Sequence, residues 1–108
     1  MVIKILANEK GSPVGKLAEV ELHFVSGPLS GLKLIGFAVW ERKTGAGRNV
    51  TFPARQYSVN GERRAFALLR PVADTQASEA IRALILSAYR EHEELYASEL
   101  AAIVRPKA

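Results

Sequence analysis

The chain has 108 residues, a formal net charge of +4, 48% apolar and 24% charged side chains, and no cysteine. Such a length and balance give a single domain with one modest core and exclude a disordered chain. The lack of cysteine excludes disulfides and thiolate metal sites and fits a cytoplasmic protein.

Residues 1–72 read as a sheet and residues 73–108 as a helical part. The first strand covers residues 2–6. Its apolar run is far too short to span a bilayer and lacks the layout of a signal peptide, so no membrane contact is expected. Residues 8–13, Asn-Glu-Lys-Gly-Ser-Pro, form a turn cluster. Residues 16–25 alternate, with Val20, Leu22 and Phe24 on one face and Glu19, Glu21 and His23 on the other. This period of two marks a half-buried strand. After a break at residues 26–31, residues 32–40 are nearly all apolar around Gly36. They form a strand covered on both faces, or a bulged one. Residues 43–47 make a turn, and residues 48–53 a short strand that ends at Pro53, which lacks a ladder donor.

Asn60-Gly61 is a two-residue hairpin signal, because both turn positions need positive φ. It pairs a strand near residues 57–59 with one over residues 62–70. In the second of these, Arg64, Phe66, Leu68 and Arg70 share one face. Ala65, Ala67 and Leu69 share the other. A helix then starts at an N-cap, Asp74 or Thr75, with Glu79 at its positive end. Ala77, Ile81, Leu84, Ala88 and Leu95 form its apolar stripe. Helical character reaches Ile103, about 40 Å at roughly 1.5 Å per residue. That is long for so small a domain, so a break near residues 91–94 is expected. Pro106 ends the segment. The fold class is α+β: an antiparallel sheet of about five strands followed by a C-terminal helix, whole or in two pieces.

Charge is concentrated in the middle of the chain. Residues 41–72 hold seven cations against two glutamates, a net of +5, and six of the seven are arginine. Arginine suits phosphate, which its planar fork of donors grips in pairs. The candidate contact residues are Arg42, Lys43, Arg48, Arg55, Arg63, Arg64 and Arg70. Arg55, Arg63 and Arg64 form the expected clamp, and Arg42, Lys43 and Arg48 extend it from the neighbouring hairpin. The plainer alternative pairs Arg55 with Glu41 or Glu62. Trp40 and Tyr57 are candidates for stacking on bases. Phe52 and Phe66 read instead as core.

No catalytic arrangement emerges. His23 and His92 sit among glutamates and read as structural or solvated. Residues 91–94, Glu-His-Glu-Glu, point in different directions on a helix and hold no metal. Gly45-Ala46-Gly47 lacks the remaining parts of a phosphate loop. No enzyme activity, cofactor, metal or small-molecule substrate is expected.

Three segments together resemble a known family. They are Phe52-Pro53-Ala54-Arg55, the basic strand of residues 62–71 after Asn60-Gly61, and the helix carrying Ile81, Leu84, Ile85 and Tyr89. Their order is similar to that of the SpoVG (stage V sporulation protein G) family of small bacterial regulators. The loop at residues 43–47 and the strand after Gly61 are longer than the family pattern. The resemblance implies a homodimer that binds DNA, or RNA, through Arg55, Arg63, Arg64 and Arg70. Two alternatives stand beside it. One is a protein-interaction or assembly module. The other is a single-stranded-DNA binder of the transcription-coactivator type.

Overall fold

A computed structural model describes residues 1–43 and 47–104. Six strands and one helix follow in the order β1 (Val2–Ala7), β2 (Lys16–His23), β3 (Lys33–Glu41), β4 (Arg48–Thr51), β5 (Ala54–Val59), β6 (Glu62–Ala67) and α1 (Gln76–Val104). The fold is α+β, with antiparallel strands first and the helix last. β1 to β4 form a meander in which every strand pairs with its sequence neighbour, whereas β5 and β6 pair only with each other. The strand total is near the expected five, but the strands divide between two sheets.

The alternation in β2 puts Ala18, Val20 and Leu22 on the face beneath the helix, where they are almost wholly buried. Phe37 and Val39 of β3, Val50 of β4, and Ile85 and Tyr89 of α1 complete the core. Phe52 is half-buried against it, its ring edge-on to Phe37 with centroids 5.3 Å apart. On the opposite face Glu21 accepts from His23 at 2.9 Å and from Lys33 at 3.3 Å. These partners, His23 first, hold its carboxyl below the ordinary carboxylate value.

β3 is bulged. Val20 faces Phe37 while Leu22 faces Leu34, so β3 carries one extra residue at Ile35-Gly36. Gly36 has φ +107°, and a Cβ there would stand 3.1 Å from Cβ of Pro53. A side chain at residue 36 would therefore press on Pro53, where the chain leaves the sheet, and would be strained by the positive φ.

Asp74 is the N-cap: its Oδ1 accepts from the backbone N–H of Gln76 at 2.9 Å. The helix then runs 29 residues without a break. The expected interruption at residues 91–94 is absent, because Glu-His-Glu-Glu contains no glycine or proline to break it. Nor does the domain confine the helix. Residues 94–99 are all exposed, so its C-terminal part projects beyond the sheet. Its buried stripe also differs from the expected one. Ile81, Ile85, Ala88 and Tyr89 face the sheet, while Leu84 and Leu95 face outward. Leu84, Ile85 and Leu86 are consecutive and apolar, and only packing on the sheet selects which of them is buried. Among the described residues no helix is long and apolar enough to cross a membrane. The expected turn residues 44–46 and Pro106 lie outside the described residues.

Candidate nucleic-acid interface

The β5–β6 hairpin forms its own two-stranded sheet. It turns at Asn60 (φ +51°) and Gly61 (φ +80°), both left-handed, as a tight two-residue turn requires. At its base the N–H of Leu68 donates to the carbonyl of Pro53 at 3.0 Å. Every residue of both strands is exposed.

The register defines two faces. Arg55 lies opposite Phe66, Tyr57 opposite Arg64, and Val59 opposite Glu62. These six side chains share one face. Ala54 opposite Ala67, Gln56 opposite Ala65, and Ser58 opposite Arg63 form the other. The first face thus alternates arginine and aromatic both along and across the strands. Tyr57 and Phe66 are 43% and 45% exposed. The Arg70 guanidinium stacks 4.1 Å from the centroid of the Phe66 ring, while its Nε–H donates to the carbonyl of Ala67 at 3.0 Å.

Two expectations need correction, and one alternative falls away. Arg63 does not converge with Arg55 and Arg64, since neighbouring residues on a strand point to opposite faces. Phe66 is not core: the hairpin stands apart from the meander, so its alternation has no buried side. Arg55 pairs with neither Glu41 nor Glu62 among the described residues. Glu62 instead takes Arg64 at 3.3 Å, with both side chains more than half exposed. Such a pair is screened and gives way to a stronger anion.

The other candidates lie elsewhere. Arg48 opens β4, in the meander and not in the hairpin sheet. Arg48 reaches the helix: its Nη2–H donates to Glu93 Oε2 at 3.1 Å, and its guanidinium lies 6.0 Å from the Tyr89 ring centroid. Glu93 raises the Arg48 pKa further, and burial, then the Glu93 charge, raises that of the Tyr89 hydroxyl. Arg48 therefore ties β4 to α1. Arg42 folds across Gly47, its Cδ 3.6 Å from the site of a Cβ there. With Arg48 and Arg90 it lines an open cleft of about 430 Å³ between the β3–β4 end and the helix. Sequence spacing gave no sign that Arg90, 48 residues from Arg42, joins this cluster. Lys43 is exposed just past the end of β3. Trp40 is half-buried on the meander, its indole N–H donating to Thr51 Oγ1 at 2.8 Å.

Among the described residues no three of the His, Cys, Asp and Glu side chains are placed to hold a metal ion. The chain matches no known protein-family model, no curated protein and no solved structure.

Proposed function

We propose that the chain is a non-enzymatic nucleic-acid-binding protein, a SpoVG-like regulator of DNA or RNA, and that β5–β6 is its contact element. The observation that carries this reading is the exposed face on which Arg55, Tyr57, Arg64, Phe66 and Arg70 lie side by side. Arginines there offer planar donors to phosphate, and the rings between them offer apolar surface to bases. A cytoplasmic site of action and a homodimer belong to the same proposal.

The test is salt-dependent binding of labelled DNA and RNA. Replacing both Arg55 and Arg64 with Ala removes two phosphate contacts, weakens all sequences alike and flattens the salt slope by roughly one to two units. Stability changes by less than about 0.5 kcal/mol, as for other exposed positions. An unchanged slope in a folded double variant removes the proposal. The interaction-module reading then leads, supported by Leu84, Leu95 and Tyr96, which are 49%, 66% and 58% exposed on the helix.

A further inference from the structure

We infer that the hairpin face selects single-stranded over double-stranded nucleic acid. This rests on the reading of β5–β6 as the contact element and goes beyond it in naming the state of the ligand. The basis is the placement of the two rings. Tyr57 and Phe66 are diagonal neighbours in the middle and base pairs of the face, each with an arginine directly opposite: Arg64 across from Tyr57, Arg55 across from Phe66. Diagonal positions on paired strands lie roughly 7–8 Å apart. Two rings at that spacing present two apolar platforms, each with a cation at its side.

Duplex bases stack on one another, so their flat faces are closed to a protein ring. A two-stranded ribbon that enters the major groove reads base edges, and it needs polar donors and acceptors at its centre. On this face the polar groups Arg55, Arg64 and the Tyr57 hydroxyl are interleaved with the ring faces of Tyr57 and Phe66, which a groove-reading ribbon would leave unused. In a single strand the base faces are open, and stacking on aromatic side chains is worth roughly fivefold to a hundredfold per base. Arg55 and Arg64 then reach the phosphates that flank the stacked bases. The Arg70 guanidinium lies over one face of the Phe66 ring, 4.1 Å from its centroid, so a base stacks on the ring's other face or on the guanidinium itself. Glu62, at the tip end of the face, repels the strand there and limits the site to the base half of the hairpin. Stacking is tolerant of base identity, so little sequence preference is expected.

The experiment is fluorescence anisotropy at one salt concentration with a labelled strand of about 12 nucleotides, a length within single-strand site sizes. Three probes share one sequence: single-stranded DNA, single-stranded RNA and duplex DNA. The single strands are expected to bind roughly tenfold or more tightly than the duplex. Combining Tyr57→Leu with Phe66→Leu is expected to remove that difference by weakening the single strands alone. Phe66→Tyr keeps it. Equal or tighter duplex binding by the unaltered protein overturns the inference and leaves the contact element in place. So does equal loss on all three probes in the Leu variant, because the rings then serve only to hold the hairpin together. Failure of every probe to bind overturns the inference and the proposed function together.

Discussion

Gly36 sits at the bulge of β3, against the point where the chain leaves the first sheet. Its φ of +107° lies where side chains are strained, and a Cβ would press on Pro53 at 3.1 Å. Gly36→Ala is therefore expected to cost about 1–3 kcal/mol. Urea unfolding of the variant checks this, with a lower midpoint at unchanged slope as the expected result. Tyr89 sets a second expectation. Burial, then the Glu93 charge, raises its hydroxyl pKa above the ordinary 10.0. A raised pKa means that the folded state keeps the proton more tightly than the unfolded state. The resulting stability is complete below 10.0 and is lost as pH rises through the folded value. Thermal melts across the alkaline range should fall less steeply for Tyr89→Phe than for the unaltered protein. Arg63 and Arg64 provide the sharpest residue-level contrast, since the register sends them to opposite faces. Arg64→Ala is expected to weaken nucleic-acid binding several-fold more than Arg63→Ala, measured by anisotropy under one salt condition.

Among the elements, the hairpin and the helix end share one property: neither is packed along its length. A two-stranded hairpin alone is marginal in water. β5–β6 has its own ladder, its Asn60-Gly61 turn and the Pro53–Leu68 hydrogen bond at its base, and none of its residues is buried. Its amides are therefore expected to exchange with solvent far faster than those pairing β2 with β3. Addition of a bound oligonucleotide should slow them. Unchanged exchange in hairpin amides on binding would point to contacts elsewhere, with the cleft of Arg42, Arg48 and Arg90 as the next place to probe. The capped start of α1 behaves differently. Asp74 satisfies one free N–H, and Ile81, Ile85 and Tyr89 seat the first half of the helix on the sheet.

The whole molecule is extended for its size. Its radius of gyration is 16.9 Å, against about 13 Å for a compact domain of this length. The C-terminal part of the helix projects beyond the sheet, and its apolar Leu95 and Tyr96 remain uncovered. A second copy of the chain is the simplest cover for them, because a symmetric pair closes faces and edges that one copy leaves open. A dimer is accordingly expected by light scattering at micromolar concentration, and a monomer there would defeat that part of the proposal.

The local order of parts was legible in the amino-acid sequence because each part rests on short-range rules. The alternation of residues 18–22 marked a strand with one buried face. Asn60-Gly61 marked the hairpin, Asp74-Thr75 the helix start, and Gly36 a possible bulge. Each depends on a few neighbouring residues and the dihedral angles open to them. The concentration of arginine was visible in the sequence, and the shared face of Arg64 and Phe66 followed from the period of two; β6 ends at Ala67, short of the expected residue 70, and Arg70 returns to Phe66 from the bend beyond it. What the sequence could not decide was what each face meets. Phe66 is exposed only because β5 and β6 leave the meander at Pro53, and Arg48 turns to Glu93 only because α1 crosses β4. Ile85 is chosen over Leu84 by the sheet beneath it. Burial and pairing are set by contacts between residues far apart in the chain, and local spacing carries no record of them.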